Sequence, residues 1–181
     1  MSGRLDRVEW VRTGLAVLSE AGIEAVRVEP LARRLGVTKG SFYWHFVNRD
    51  ALLSAMLEEW ERVQTSEVIA GAEAVGGDAA RRLKTLSDLA LGLDMRLEAA
   101  ARVWASTDER AYRAVQQVDG RRLGFLQSVI EGAGVPEATA QARARLVYYA
   151  LIGEIVCRPP DWLDRHRRAM RLNREMILRW P

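Results

Sequence analysis

Apolar residues recur every three or four positions along nearly the whole chain, which is the spacing of one face of an α-helix. The first such segment is followed by Gly22, a residue suited to ending a helix. Its apolar positions are Leu5, Val8, Val11, Leu15 and Leu18. Sustained alternation of apolar and polar residues, the pattern of a half-buried strand, is almost absent. The pattern predicts an all-α fold whose first helix covers about Asp6 to Ala21.

The same periodicity predicts about nine helices, bounded by residues that commonly begin or end helices. Thr38 and Asp78 are suited to capping N-termini, and Pro30 and Pro136 fit a first turn, where a missing N–H costs little. The helices after the first are expected at about Val28 to Leu35, Lys39 to Phe46, Asn48 or Arg49 to beyond Trp60, Ala79 to Met95, Leu97 to Ser106, Thr107 or Asp108 to Ala133, Pro136 to Val156, and Asp161 to Arg179.

A change in composition at Gly71 to Asp78 is the best candidate for a boundary between two units. This stretch holds three glycines in eight residues, which favours a loop or a fraying helix end. We therefore expect a smaller N-terminal unit followed by a larger helical unit.

Two short predicted helices meet at Gly36, in the proportions of a helix-turn-helix. In that motif the second helix lies in the major groove of DNA, with its N-terminal residues at base edges and phosphates. Here the second helix would carry the stretch VTKGSFYWHF. Phe42 and Phe46, four residues apart, share a face and are expected in the core. The pattern alone is also compatible with two ordinary core helices.

Several side chains around this turn have the chemistry that DNA contacts require. Hydroxyls, an ammonium, a phenol and an imidazole can donate to phosphates or bases, and a glycine lets the backbone approach. The candidate DNA-binding residues are Arg27, Thr38, Lys39, Gly40, Ser41, Tyr43, Trp44, His45 and Arg49. Arg27 and Arg49 would hold phosphates on either side of the groove. For Trp44, buried support and apolar contact with a thymine methyl are both open.

Composition restricts the other classes of function. The chain of 181 residues has 27 Lys and Arg against 24 Asp and Glu, so DNA binding would depend on a local patch rather than on bulk charge. A single cysteine, Cys157, excludes an intramolecular disulfide and is expected to be a small buried hydrophobe rather than a reactive thiol. No apolar run resembles a signal peptide or a membrane span, which favours a cytoplasmic location.

An enzyme is the rival class of function. Only two histidines are present, His45 and His166, and neither has a recognisable set of partners. The sequence contains no HExxH, GxSxG, P-loop or dinucleotide fingerprint. We therefore expect no catalytic residue, no metal and no cofactor. A protein-interaction module stays open as a third class.

The segment VRVEPLARRLGVTKGSFYWHFVNRDALLSAML resembles the DNA-binding domain of the TetR (TetR/AcrR) family of transcriptional regulators, over about Val8 to Trp60. The resemblance implies an all-helical homodimer with a three-helix head at residues 1–50, an effector-binding and dimerisation body at 51–181, and a fourth helix, about 50–70, that links them. It implies a repressor that a small effector releases from double-stranded DNA, and it assigns DNA contacts to Thr38, Lys39, Gly40, Ser41, Tyr43, His45 and Arg49.

The chain departs from the family pattern at two positions. Family members commonly have Ser or Thr just before the second helix, where this chain has Arg27. Glu29 adds an acidic group near the expected groove. These two residues leave base reading by the start of the second helix in doubt.

The body lacks a comparably specific motif, although RLVYYALIGEI at Arg145 to Ile155 is similar to the family's penultimate helix. The last two helices are expected to form a four-helix bundle with a second chain, through Leu146, Tyr149, Ala150, Gly153, Met170, Asn173, Ile177 and Trp180. Arginines flank the last helix and indicate a solvated face or, as the alternative, a second DNA contact. An apolar or aromatic effector would contact Leu89, Leu93, Met95, Trp104, Tyr112, Val115, Phe125 and Tyr148, each of which can equally be plain core.

Overall fold

The computed structural model describes residues 6–157 and 176–178 and confirms the all-α fold. Within these residues lie nine α-helices: α1 (Arg7–Ala21), α2 (Val28–Arg34), α3 (Lys39–Tyr43), α4 (Arg49–Glu61), α5 (Glu67–Ala74), α6 (Ala79–Leu91), α7 (Met95–Ala105), α8 (Glu109–Glu131) and α9 (Glu137–Cys157). None of the described helices is long and apolar enough to cross a membrane. A 3₁₀ turn spans Ile23–Ala25, and a π-helical turn spans Arg62–Ser66.

Helix α1 begins and ends as its sequence predicts, and Val11 and Leu18 of its predicted face are buried, but the other described positions of that face are not. Asp6 accepts a hydrogen bond from the backbone N–H of Glu9, whose side chain accepts one in return, and Gly22 follows the last turn at φ +78°. The buried positions are Trp10, Val11, Gly14 and Leu18. Val8 is exposed, and Leu5 lies outside the described residues. The bulk of the Trp10 indole decides which side of the helix faces inward.

The fourth predicted helix is divided by the π turn at Arg62–Ser66 into α4 and α5. Asn48 caps α4 by accepting a hydrogen bond from the Ala51 N–H at 2.9 Å. The wider π turn places the consecutive residues Gln64 and Thr65 both in buried positions. Such turns are frequent at functional positions of helices.

The chain folds into two compact units, each built from two stretches of sequence. The first comprises Met1–Arg62 and Asp94–Gln116, and the second comprises Val63–Leu93 and Gln117–Pro181. Gly71 to Asp78, the expected boundary, lies inside the second unit and contains the turn between α5 and α6, where Gly76 and Gly77 have φ of +60° and +84°. A division by function at residues 50 and 51 stays a prediction.

The core of the first unit forms around large side chains of α1, α3, α4 and α7. Trp10, Phe42, Met56 and Trp104 are fully buried. A Cβ atom at Gly14 would lie 2.6 Å from the Met56 sulfur, so glycine permits the close approach of α1 and α4. These contacts fix the helices that support α3.

The core of the second unit joins α6, α8 and α9 with the short described segment 176–178. It contains Leu83, Val129, Ile130, Ala144 and Ile177. Ile177 was expected in the dimer seam, and that prediction is wrong for its side chain, which is buried within its own chain. The prediction for Cys157 is also wrong, because this residue ends α9 in an exposed position.

Candidate nucleic-acid interface

Helices α2 and α3 form a helix-turn-helix around Gly36. The chain leaves α2 at Leu35, and Gly36 adopts φ +68°, a left-handed conformation that favours glycine. The Val37 N–H then donates to the Ala32 carbonyl at 3.0 Å. Ala32 is buried, as expected for the residue that allows the two helices to approach each other.

Helix α3 is held to the first unit by two phenylalanines, as its spacing predicts. Phe42 and Phe46 are buried and stack with ring centroids 5.4 Å apart. The Trp10 ring meets the Phe42 ring edge-on at 5.3 Å. One further helical turn follows α3, because the Phe46 N–H donates to the Phe42 carbonyl at 3.0 Å. The anchored face of α3 determines which side chains point to solvent.

The opposite face of α3 carries polar and aromatic groups in exposed positions. Thr38, Lys39 and Gly40 are exposed, whereas Ser41 and His45 are half-buried. Tyr43 is 56% exposed and Trp44 is 83% exposed. Of the two alternatives for Trp44, buried support is therefore wrong. Val47, which the sequence pattern did not single out, follows in the same segment and is 83% exposed.

Thr38 precedes α3 with the extended backbone of an N-cap, but its hydroxyl makes no capping hydrogen bond. The prediction that this hydroxyl caps the helix is wrong. The side chain is instead an exposed donor and acceptor at the N-terminus of α3.

Lys39 forms an ion pair with Glu29 of α2. The ammonium nitrogen lies 2.8 Å from Oε1 of the carboxylate, with 53% and 67% of the two side chains exposed. The hydrogen bond from Lys39 and the charge of its ammonium group lower the pKa of Glu29. The same bond and the Glu29 charge raise the pKa of Lys39. Sequence reasoning named both residues but not their contact, because they are ten positions apart on different helices.

The two flanking arginines make backbone contacts that the sequence pattern did not reveal. Arg27 Nε donates to the Glu24 carbonyl at 2.8 Å. Arg49 Nε donates to the Val26 carbonyl at 2.7 Å, and Arg49 Nη2 donates to the Ile23 carbonyl at 3.1 Å. Arg49 thus ties the start of α4 to the backbone that leads into α2. A phosphate contact by either arginine stays a prediction.

A buried polar cluster lies in the second unit, at the π turn. Tyr148 donates from its hydroxyl to Asp119 Oδ1 at 2.6 Å. Arg122 Nε donates to the Thr65 hydroxyl at 3.0 Å, and Arg122 Nη2 donates to the Gln64 carbonyl at 3.1 Å. Of these residues, sequence reasoning had named only Tyr148. The i, i+3 spacing of Asp119 and Arg122 was the available signal.

The predicted pocket residues are divided between the two units. Met95, Trp104, Tyr112 and Val115 belong to the first unit, and Leu89, Leu93, Phe125 and Tyr148 belong to the second. Trp104, Val115 and Tyr148 are buried, whereas Leu89 and Tyr112 are exposed. Exposure makes Leu89 and Tyr112 poor candidates for lining an enclosed pocket.

Helix α9 presents an exposed face that contains the predicted dimer residues. Leu146 is 63% exposed, Tyr149 is 46% exposed, and Ala150 and Gly153 are exposed between them and the end of the helix. Val156 extends the face by another turn. We call Leu146, Tyr149, Ala150, Gly153 and Val156 the α9 seam. The other predicted dimer positions, Met170, Asn173 and Trp180, lie outside the described residues.

Within residues 6–157 and 176–178, no group of three or more His, Cys, Asp or Glu side chains could hold a metal ion.

Comparison with known proteins tests the resemblance directly. The model of the family described as bacterial regulatory proteins, tetR family, matches residues 11–56. The chain is 44% identical over 55 residues to the class C tetracycline repressor protein of Escherichia coli. The matched stretch covers 30% of this chain and 25% of that protein. The N-terminal part of the chain is therefore similar to TetR-family proteins. Members of this family are transcription regulators and not enzymes.

Solved structures extend the likeness beyond the N-terminal part of the chain. A transcriptional regulator from Rhodococcus sp. Rha1 is 27% identical, with a TM-score of 0.70 and 96% of each chain covered. BioQ, solved with its double-stranded DNA operator, has a TM-score of 0.51 at 24% identity and covers 96% of this chain and 98% of its own, which shows the fold alone. The tetracycline repressor match, in contrast, spans about a quarter of that protein's length.

Proposed function

We propose that this chain is a DNA-binding transcriptional repressor that acts as a homodimer on a pseudo-palindromic operator and is released by a small effector. The observation that carries the proposal is the exposed face of α3. It places donors and aromatic rings opposite a fully buried anchor, Phe42, in a segment that matches the TetR family.

On this proposal α3 enters the major groove, and its exposed groups divide the work. Thr38, Ser41, Tyr43 and His45 position the helix by donating to phosphates, whereas Lys39, paired with Glu29, lies at the end of the helix that would meet base edges. Gly40 lets the backbone come close. The rings of Tyr43 and Trp44, with Val47 in the same segment, supply apolar contact for thymine methyl groups.

The α9 seam supports the homodimer. Its apolar side chains are exposed on one helix, and Ala150 and Gly153 are small enough for a second helix to approach closely. A twofold axis through the seam would pair each residue with its own copy. Two heads can then read half-sites about 34 to 36 Å apart.

The buried polar cluster supports the response to an effector. A charged and hydrogen-bonded group inside a helical body is costly to bury, and such clusters often serve a function beyond stability. An apolar or aromatic effector could pack near Tyr148 and change the partners of its hydroxyl. Binding would favour a head spacing that does not fit the operator, which is a shift of population without chemistry.

Selection of DNA from a pool of random duplexes, followed by a gel shift, tests the proposal. Wild type is expected to enrich one pseudo-palindrome and to shift it as a single complex. Tyr43→Ala combined with Lys39→Ala is expected to abolish the shift. Tyr112→Ala combined with Lys84→Ala removes the same residue types from exposed positions outside α3 and is expected to leave the shift intact. No enrichment by wild type, or equal loss in both double variants, contradicts the proposal.

A further inference from the structure

The ion pair between Glu29 and Lys39 joins the first turn of α2 to the first turn of α3, at the end of α3 that would meet base edges. Both side chains are more than half exposed, so neither is withdrawn from a passing ligand. A carboxylate at this place is unexpected for a surface that binds a polyanion, because phosphates repel it.

We propose that Glu29 is a specificity-determining residue that acts as one unit with Lys39 and reads a G·C base pair in each half-site. The inference rests on the proposed function, since it concerns how the same surface distinguishes one DNA sequence from another. It assigns to Glu29 a role in selecting sequence rather than in strengthening binding to DNA in general.

The charge of Glu29 weakens the attraction of Lys39 for the DNA backbone. Glu29, 2.8 Å away, partly offsets the charge of the Lys39 ammonium, so contact with an arbitrary phosphate adds little binding energy. Breaking the pair would leave a carboxylate near the DNA backbone without a counter-charge. Affinity for non-cognate DNA is therefore lowered. A DNA site that forms hydrogen bonds with both the Lys39 ammonium and the Glu29 carboxylate does not lose affinity in this way.

The major-groove edge of a G·C pair offers groups that complement the ion pair. In the major groove a carboxylate can accept only from the amino groups of cytosine or adenine, and an ammonium group can donate to O6 and N7 of guanine. In a G·C pair, guanine O6 and the cytosine amino nitrogen are hydrogen-bonded to each other at about 2.9 Å. The Lys39 ammonium and the Glu29 carboxylate, 2.8 Å apart, present the complementary donor and acceptor at nearly the same spacing.

An A·T pair also presents an adjacent donor and acceptor, the adenine amino group and thymine O4, so the 2.8 Å spacing does not by itself separate it from G·C. The difference lies in the second acceptor: guanine places N7 next to O6, whereas in A·T the amino group separates N7 from O4, so the ammonium loses the two adjacent acceptors that guanine offers. The thymine methyl group also brings an apolar surface toward the charged pair. The pair Glu29 and Lys39 therefore favours G·C.

The test measures binding of the full chain to its selected duplex by fluorescence anisotropy, with each G·C pair of a half-site replaced in turn by A·T. Wild type is expected to show one position in each half-site where replacement weakens binding about tenfold. Glu29→Gln is expected to reduce that loss to about two- to threefold, to leave the other positions unchanged, and to bind a scrambled duplex more tightly than wild type.

The matched control is Glu20→Gln. Glu20 also forms an exposed ion pair on the first unit, with Arg34 Nη2 at 2.8 Å from its Oε1, but this pair involves no residue of α3. The variant changes net charge by the same amount and is expected to keep the wild-type base profile. Glu29→Asp retains the charge but shortens the reach toward Lys39, so it is expected to lose discrimination without a gain in affinity for the scrambled duplex.

The outcomes separate this inference from the proposed function. If wild type enriches no duplex at all, both are overturned. If wild type has a preferred duplex but Glu29→Gln keeps the wild-type profile, or Glu20→Gln changes it equally, only the role of Glu29 is overturned. Thermal melting checks that the variants are folded. Because exposed ion pairs contribute little to stability, the melting curves of the three variants are expected to coincide with that of wild type.

Discussion

Two of the exposed apolar surfaces of this chain differ in their surroundings. The recognition patch on and just after α3, defined as Tyr43, Trp44 and Val47, lies beside an ammonium group, hydroxyls and an imidazole. The α9 seam itself includes alanine and glycine, and the Arg145 guanidinium lies over its Tyr149 ring, 5.3 Å from the centroid. Hydrogen-bond donors around rings suit a polar, charged partner such as DNA, whereas small residues around a leucine suit the close approach of another helix.

The comparison shows that exposure of apolar residues by itself does not identify a partner. The residues around an exposed apolar patch determine whether a polar ligand can form hydrogen bonds at that surface or whether an apolar partner fits it better. The four variants below test the contributions of the buried Phe42, the α9 seam, the recognition patch and the Glu29–Lys39 ion pair. They are given in order of decreasing expected effect.

Phe42→Ala is expected to lower the free energy of unfolding by about 3 to 5 kcal/mol, because it empties a fully buried site between Trp10 and Phe46. Urea denaturation followed by circular dichroism measures this change. Tyr43→Ala, on the adjacent but exposed residue, is the control and is expected to cost less than about 1 kcal/mol. Equal losses in the two variants would show that the exposed face of α3 also supports the fold.

Leu146→Glu is expected to weaken the dimer about 100-fold, because a carboxylate would be buried in the centre of the α9 seam against its own copy. Analytical ultracentrifugation over a range of concentrations measures the dissociation constant. Leu89→Glu places the same group at an exposed leucine of α6 and is expected to leave assembly unchanged. A wild-type chain that sediments as a monomer would remove the basis for this prediction.

Trp44→Ala is expected to weaken operator binding about tenfold through loss of apolar contact. Its dependence on salt concentration should equal that of wild type, because no phosphate contact is removed. Arg27→Ala, measured beside it, removes a predicted phosphate contact and is expected to reduce the salt dependence. An unchanged affinity for Trp44→Ala would mean that the most exposed ring of the recognition patch does not touch DNA.

The smallest expected effect concerns the titration of Glu29. Its pKa is lowered by the hydrogen bond and the charge of Lys39, with a smaller effect from Arg33, so the ion pair should persist from its ordinary value of 4.5 up to the pH at which Lys39 loses its proton, above that residue's ordinary value of 10.5. The stabilisation is present above the unfolded-state pKa and is lost as pH falls through the lower folded-state pKa.

Carbon-detected NMR titration of the Glu29 carboxyl measures this directly. Wild type is expected to titrate below 4.5, and Lys39→Met is expected to shift the midpoint upward. The Glu20 carboxyl, whose pKa is lowered by Arg34, provides an internal reference that should not move. If the titration midpoint of Glu29 is the same in wild type and in Lys39→Met, the ion pair is not formed in solution.

The elements of this protein were largely predictable because the signals that create them are local. Asp78 caps α6 through the Arg81 N–H at 2.8 Å, and Asn48 caps α4, as their positions in sequence suggested. The inward phase of Phe42 and Phe46 follows from their spacing of four residues. Helix ends were less exact, since α3 ends at Tyr43 and α6 ends at Leu91, each before its expected limit.

The π turn could not be predicted, because it depends on what the helix packs against. Arg122 reaches Gln64 and Thr65 from 58 and 57 positions away in sequence, and no local pattern marks that contact. Two units were expected, but their bounds were not predicted, for a similar reason. Each is assembled from segments that are distant along the chain.

The sequence by itself determined the all-α fold, the helix-turn-helix and the outward side of α3, because helical periodicity, a left-handed glycine and capping groups act within a few residues. Only the tertiary structure decided that Lys39 pairs with Glu29, that Arg49 ties α4 to the turn before α2, and that Ile177 is buried while Cys157 is exposed. Those contacts depend on packing between helices, which is set by the shape of the whole core and not by the spacing of residues along one element.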